Sequence, residues 1–145
     1  MKDFMKEAIK EAKKSLILGE IPVGAVIVKD NIIIAKAHNL RETLQDPLAH
    51  AEILAIKEAS QYSNNWRLKD CSMYVTLEPC PMCAGAILQS RISKLYIGTF
   101  DPTTGACGSV INVLQNNSLN RWTNINWNYN KQCSSILEEF FKKRR

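Results

Sequence analysis

The spacing of apolar residues predicts helices at both ends of the chain. Residues 3–18 carry apolar side chains at helical spacing, with Lys and Glu on the opposite face, and Gly19 ends the run. Residues 132–143 are predicted to close the chain as another helix. The same periodicity predicts a helix from 46 or 47 to about 61, with Ile and Leu on its apolar side.

The hydrophobic pattern changes to one typical of strands at 23–28 and 32–37. Asp30-Asn31 between these two segments is suited to a tight hairpin turn. Both segments are apolar on both faces, so the hairpin is expected inside a layered domain. Asn39 follows the hairpin. Its side-chain amide can either hydrogen-bond to the edge of a base or ribose, or stabilise a turn.

Two more strands are predicted at 73–76 and 94–98, on either side of a helix over 81–89. If that helix is a crossover, the two strands are parallel. We expect a short helix at 110–115 and a loop at 116–130 that contains one further short strand. This order of elements predicts an α/β fold of three layers, α/β/α, around a mixed five-stranded sheet.

Length and composition are those of one globular domain spanning residues 1–145. The hydrophobic fraction is 46% and the charged fraction 23%, and no apolar run approaches the roughly 18 residues needed to span a membrane. The N-terminus is too charged for a signal peptide. A cytoplasmic protein is the expectation.

The chain has five cysteines, an odd number that argues against a disulfide framework and for a reducing cytosol. Cys71, Cys107 and Cys133 are interpreted as small packing residues. Cys107 lies between glycines in a loop and is the best of the three as an alternative metal neighbour.

Cys80 and Cys83 form a Cys-x-x-Cys pair with Pro79 before it and Pro81 inside it, which is typical of the first turn of a helix. Residues three apart share a helix face, so both sulfurs can reach one ion. The positive end of the helix dipole favours thiolate, the form that binds metal. By itself the pair is equally compatible with a redox dithiol, half of a structural zinc site or two buried cysteines.

His50 and Glu52 supply the second half of a metal centre upstream of the cysteines. An isolated His-x-Glu is a weak signal, and a surface pair would explain it as well. A closed structural zinc site needs four protein ligands, whereas this chain offers one Cys-x-x-Cys and one well-placed histidine. Three ligands and an open position indicate a catalytic zinc.

Residues 20–109 resemble the bacterial tRNA adenosine deaminases, a branch of the cytidine deaminase-like fold. His-x-Glu followed by Pro-Cys-x-x-Cys is the pattern of the zinc nucleobase deaminases. The segment from Thr76 to Ala86 resembles the tRNA-acting branch in particular, as does Phe140-Phe141 followed by basic residues. Two departures are Asn120-Arg121, where the family often has Asn-His, and Thr103, where it often has lysine.

The resemblance implies roles for individual residues. His50, Cys80 and Cys83 would bind one zinc ion per chain, and Glu52 would move protons. The residues implied to contact the substrate nucleotides are Asn39, Ala51, Asp101 and Asn120. Those implied, more weakly, to contact RNA are Phe140, Phe141, Arg144 and Arg145. A homodimer is expected from the resemblance alone.

Three functions remain open at this point. The first is hydrolytic deamination of adenosine to inosine at the wobble position of a tRNA anticodon. The second is a deaminase of free guanine, cytosine or a nucleotide, and the third is a zinc-stabilised RNA-binding module without catalysis. The net charge of +5 and the basic tail at 142–145 favour the first, although those cations can also simply complement a helix dipole.

Overall fold

The structure is a computed structural model, and it describes residues 2–144. Its helices are α1 (Phe4–Ile17), α2 (Arg41–Leu44), α3 (Ala51–Ser63), α4 (Pro81–Gln89) and α5 (Lys131–Lys143), with a 3-10 turn at Asn117–Leu119. Its strands are β1 (Gly24–Lys29), β2 (Ile32–His38), β3 (Ser72–Val75), β4 (Lys94–Ile97) and β5 (Asn124–Trp127).

The strands form one mixed sheet in the order β2-β1-β3-β4-β5. β1 pairs antiparallel with both β2 and β3, whereas β3, β4 and β5 are parallel. The predicted hairpin turn is present, with Asp30 and Asn31 at φ 51° and 61°, the left-handed conformation that two-residue hairpins require. β2 is an edge strand, which explains why Ile32 at its start is exposed.

Alternate residues of the central strands point into two separate apolar layers, as the pleat of a strand dictates. Ala25 and Ile27 of β1 belong to the larger cluster, under α3 and α4. Val26 and Val28 belong to the other cluster, with residues of α1 and with Cys133 of α5. The predicted α/β/α layering around a mixed five-stranded sheet is therefore confirmed.

Gly24 allows α1 to pack directly on the backbone of β1. A Cβ atom at this position would lie 2.1 Å from the Ala8 carbonyl oxygen and 2.5 Å from the Ala12 nitrogen, both in α1. No side chain fits in that gap, so the contact fixes how closely the helix approaches the sheet.

Several predicted boundaries are corrected by the structure. α3 begins at Ala51 rather than at 46 or 47, because the Asp46 carboxylate accepts a hydrogen bond from the Leu48 N–H and forms a turn instead. The segment before it contains the one-turn helix α2, which the sequence pattern did not predict. Residues 110–115 are not a helix, because the N–H groups of Val110 and Ile111 both donate back to the Gly105 carbonyl. The short strand expected within 116–130 is β5.

Within residues 2–144, every helix is too short or too polar to cross a bilayer.

Candidate metal centre and substrate cavity

The metal-ligand candidates lie at the N-termini of two neighbouring helices. His50 is the residue immediately before α3, and Cys80 is the residue immediately before α4. Pro81 occupies the first helical position of α4, as its sequence predicted, and Cys83 lies one turn on. α3 and α4 pack against each other, so their N-termini bring the histidine and the two cysteines together.

The two nitrogen–sulfur separations among the three candidate ligand atoms match those of a tetrahedral zinc site. The Nδ1 atom of His50 is 3.7 Å from Cys80 Sγ and 3.5 Å from Cys83 Sγ, and all three atoms lie within 4.8 Å of one another. Tetrahedral angles and the usual Zn–S and Zn–N bond lengths place such N and S atoms about 3.6 Å apart. The donor set therefore fits zinc. Cys107, the alternative metal neighbour considered from the sequence, is buried and is not in this group.

Proton sharing among the three groups favours a thiolate. A hydrogen bond from Cys83 and another from His50 lower the pKa of Cys80 to about 4, against the opposing effect of burial. The pKa of Cys83 is raised, by its hydrogen bond with Cys80 and by burial. The hydrogen bond with Cys80 raises the pKa of His50. One negative charge is thus already stabilised where a cation would bind.

Glu52 lies beside the ligands without being one of them. Its side chain is in the first turn of α3, and the residue is only 4% exposed. Burial raises the pKa of Glu52 to about 7, although its own backbone N–H and His50 favour the carboxylate. Cys83 is a hydrogen-bonding neighbour. A carboxyl group in this environment can take up and release a proton near neutral pH.

These residues form the floor of a cavity of about 340 Å³. His50, Ala51, Glu52 and Cys80 all line it, so the metal centre opens into a space of the size that small-molecule sites have. The remaining lining residues come from segments spread along the whole chain: Gly19, Glu20, Ile21, Val23, Asn39, Arg41, Glu42, Leu77, Glu78, Asp101, Thr104, Phe140, Phe141 and Arg144.

Asn39 both lines the cavity and holds its wall together. Its Nδ2 donates to the Ile21 carbonyl and its Oδ1 accepts from the Arg41 N–H. One amide hydrogen and one oxygen lone pair remain for a ligand. Both alternatives considered from the sequence, a turn residue and a base-reading residue, are therefore compatible with this position.

Asp101 lines the cavity, and most of the hydrogen-bonding capacity of its carboxylate is used by neighbouring residues of its own loop. Its Oδ1 accepts from the backbone N–H and hydroxyl of Thr103 and from the Thr104 N–H, and its Oδ2 accepts from the Thr104 hydroxyl. Burial opposes the charge, but these hydrogen bonds hold the pKa of Asp101 below its usual value. Asn120 is exposed at the end of the 3-10 turn and is not among the cavity-lining residues.

The end of α5 forms one wall of the same cavity. Phe140 is buried, Phe141 is 49% exposed, and both line the cavity together with Arg144. The Arg144 Nη2 donates to the Gly19 carbonyl at 2.6 Å, and its guanidinium carbon lies 4.6 Å from the centre of the Phe140 ring. Arg145, the last predicted RNA contact, lies outside the described residues.

Glu20 and Glu78 are buried acids that line the cavity, and the sequence analysis did not predict either as a site residue. Glu20 and Glu78 are each 2% exposed. Glu20 accepts hydrogen bonds from the N–H groups of Glu42 and Thr43. The sequence feature that could have identified both residues is an acidic residue directly beside an apolar segment, where a solvated charge is not expected.

Comparison with known proteins agrees with this site. The family model for MafB19-like deaminases matches residues 1–145. The tRNA-specific adenosine deaminase of Bacillus subtilis is 49% identical over 143 residues, covering 98% of this chain and 89% of the relative. The chain belongs to the tRNA-specific adenosine deaminase family. The enzyme of that name from Aquifex aeolicus is also 49% identical, over 98% of this chain and 94% of its own length.

Solved structures place the deaminase in the cytidine deaminase-like fold. A structure from work on A-to-I editing by tRNA:A34 deaminases at the wobble position superposes with a TM-score of 0.89 at 37% identity. It covers 92% of this chain and 98% of the other. The guanine deaminase of Bacillus subtilis is 42% identical, with a TM-score of 0.64 over 67% of this chain and 62% of its own.

Proposed function

We propose that this protein hydrolytically deaminates adenosine to inosine at the wobble position of a tRNA anticodon. The observation that carries the proposal is the convergence of His50, Cys80 and Cys83 beside the buried carboxyl of Glu52, at the floor of a cavity. Relatives named for this reaction on tRNA cover nearly the whole chain. The whole chain, residues 1–145, would act as one deaminase domain.

His50 Nδ1 and the sulfurs of Cys80 and Cys83 would hold one zinc ion, since their separations and chemistry fit it. Zinc bound in this way supplies Lewis acidity and lowers the pKa of water towards ~7. Glu52 takes a proton from the attacking water and gives it to the ring nitrogen beside C6 of adenine. It then moves the second proton to the leaving amine, so that water and adenosine yield inosine and ammonia.

The chain also supplies the positioning that such chemistry requires. The floor and walls hold the base with groups that are already fixed, among them Asn39 and the Ala51 backbone at the start of α3. The target base has to leave its stack to enter the cavity. An anticodon loop is already single-stranded, so this costs little. Asp101 and the end of α5 would meet the nucleotides around it.

The proposed assembly and location follow from the family. We infer a homodimer, and we infer that the protein acts in the cytoplasm, where its tRNA substrate is found. Sedimentation of the purified protein tests the first inference. A species of one chain, about 16.4 kDa, at working concentration would contradict it.

The similarity to a guanine deaminase supports a second candidate function, deamination of a free base or nucleotide. One assay distinguishes it from deamination of tRNA. Purified protein is incubated with an anticodon stem-loop and, in parallel, with free adenosine, cytidine, cytosine and guanine. We expect inosine in the stem-loop and little turnover of the free compounds. Rapid turnover of guanine or cytosine with none of the stem-loop would overturn the proposal. Stem-loop binding without turnover would indicate the third candidate, an RNA-binding module.

A further inference from the structure

One buried carboxylate organises the loop that carries Asp101. This segment, residues 99–109 and here called the substrate loop, follows β4 and forms one wall of the cavity. Glu78 lies three residues after the neighbouring strand β3 and accepts hydrogen bonds from three residues of the substrate loop. It has no part in the chemistry described above.

The contacts of Glu78 span the whole substrate loop. Its Oε1 accepts from the Asp101 N–H at 2.9 Å and from the Ser109 hydroxyl. Its Oε2 accepts from the Cys107 N–H at 2.9 Å and from the Ser109 N–H at 3.1 Å. A carboxylate has about four lone-pair positions, and all four are used here.

The substrate loop is shaped around this side chain. A Cβ atom on Gly105 would lie 2.4 Å from the Glu78 carboxyl carbon, so the backbone passes in direct contact with it. Within residues 2–144, no lysine, arginine or histidine forms an ion pair with Glu78. A buried carboxylate without a cation is costly unless its hydrogen bonds are complete, so the backbone N–H groups balance its charge.

We propose that Glu78 is a positioning residue for the reaction: it fixes the substrate loop so that Asp101 meets the nucleotide next to the reacting adenosine. The proposal rests on the proposed function, because it needs an RNA substrate with neighbouring nucleotides. Asp101 extends the same arrangement, since its own carboxylate orders Thr103 and Thr104. This wall of the cavity is thus ordered in the protein without RNA. RNA binding therefore loses less conformational entropy in ordering the substrate loop.

Glu78→Gln is the informative substitution because it keeps the size of the side chain. An NH2 group in place of Oε2 would face two backbone donors, those of Cys107 and Ser109. The amide therefore turns its NH2 towards the Oε1 position. There the Ser109 hydroxyl can rotate to accept, but the Asp101 N–H loses its acceptor. The substitution should release the Asp101 end of the substrate loop specifically.

The test is a double-mutant cycle with Asp101→Ala, measured as kcat and KM on the anticodon stem-loop. We expect Glu78→Gln to lower kcat/KM on the order of tenfold or more, mainly through KM, the scale of one buried charged hydrogen bond. Zinc content should stay unchanged. In the Asp101→Ala background the same substitution should have little further effect, because both act through one loop. Equal penalties in both backgrounds would overturn the proposal.

The control variant is Glu11→Gln, which removes another buried carboxylate that does not line the cavity. Glu11 lies between α1 and β2, where it contacts Lys14 and His38, and it does not line the cavity. We expect this variant to lose stability with KM unchanged. If it raises KM as much as Glu78→Gln does, the effect is general loosening and the proposal is wrong.

Hydrogen exchange gives a readout that does not depend on activity. The Asp101 amide should exchange faster in Glu78→Gln than in the wild type, while amides of β1 keep their protection. Unchanged exchange at Asp101 would overturn the proposal. If the wild type fails to deaminate the stem-loop, the proposed function falls, and this measurement still decides whether Glu78 holds the substrate loop.

Discussion

Glu52 differs from the other acids at the cavity by its immediate surroundings. Three other acids that line the cavity, Glu20, Glu78 and Asp101, have carboxylate oxygens that accept hydrogen bonds from backbone N–H groups. Glu52 instead lies beside the metal ligands, buried in the first turn of α3. The first three groups therefore hold structure, whereas the surroundings of Glu52 suit the proton transfer that we propose for it.

At the residue scale, Glu52→Gln should stop turnover without loss of metal or fold. The amide has the same size but cannot take a proton from water, and loss of general acid–base catalysis costs at least ~10²-fold in kcat. The assay is inosine formation in the stem-loop, beside elemental analysis for zinc. Glu58→Gln, an exposed position on the same helix, is the control and should be near wild type. Near-normal turnover by Glu52→Gln would show that another group moves the protons.

The metal content of variants follows from the same geometry. We expect about one zinc per chain, kept in Glu52→Ala and lost in Cys83→Ala, because only the second removes a ligand atom. Cys71→Ala, at a buried cysteine outside the ligand group, should keep its zinc. Elemental analysis of the three purified variants decides this. Wild-type protein that is fully active after complete removal of metal would contradict the zinc site.

At the scale of elements, the site depends on where helices start and on how tightly they pack on the sheet. α3 and α4 lie on one face, and their N-termini carry the ligands. α1 packs on the opposite face, over Gly24. Its Ser15 hydroxyl donates to the Asn39 carbonyl, which links this helix to the cavity wall.

Gly24→Ala should destabilise the protein because the methyl group would overlap the backbone of α1. A Cβ atom 2.1 Å from the Ala8 oxygen forces the helix away from β1, and overpacking of this kind costs roughly 1–3 kcal/mol. Gly85→Ala is the matched control, since its Cβ position in α4 has no described atom within 4 Å apart from its chain neighbours and the backbone of its own helix. There alanine should stabilise by about 0.5–1 kcal/mol. Chemical denaturation of both variants measures this, and equal effects would contradict the packing argument.

At the scale of the whole molecule, the cavity is assembled from segments that are far apart in sequence. Gly19 and Arg144 are 125 residues apart and are joined by a hydrogen bond at the cavity wall. The end of α5, including Arg144, therefore lines the same cavity as His50 and Cys80. Part of its charge is already engaged, since Lys143 lies 3.4 Å from Glu139.

Truncation after Phe141 should weaken RNA binding and flatten its salt dependence, because fewer counterions are released on binding. For every cation that no longer meets a phosphate, the slope of log K against log salt should fall by about 1. The measurement is stem-loop affinity across a salt series for full-length and truncated protein. Lys142→Gln isolates one exposed cation, and Lys10→Gln on α1 is the control. Equal slopes for the truncated and full-length proteins would mean that the tail is only a solvated helix end.

The sequence by itself determined the layers of the fold and identified the candidate metal ligands. Hydrophobic period and turn residues are local properties, so they predicted α1, the β1–β2 hairpin, α4 and the mixed sheet. Cys80 and Cys83 are likewise local, because one helical turn brings them together. His50 was paired with them as the one further well-placed ligand in the sequence, and the structure confirms that the three ligand atoms converge.

Only the tertiary structure decided what surrounds the metal centre. Two corrected boundaries are local by contrast: a turn made by Asp46 delays the start of α3, and hydrogen bonds to the Gly105 carbonyl keep 110–115 out of a helix. Glu78 acquired its role from partners 23 to 31 residues away, and Arg144 from one 125 residues away. Such contacts leave no periodic pattern in a sequence, because the chain must fold before the groups meet. For that reason short motifs predicted the chemistry, and the family resemblance predicted several wall residues, among them Asn39 and Asp101, whereas neither predicted Glu20 and Glu78.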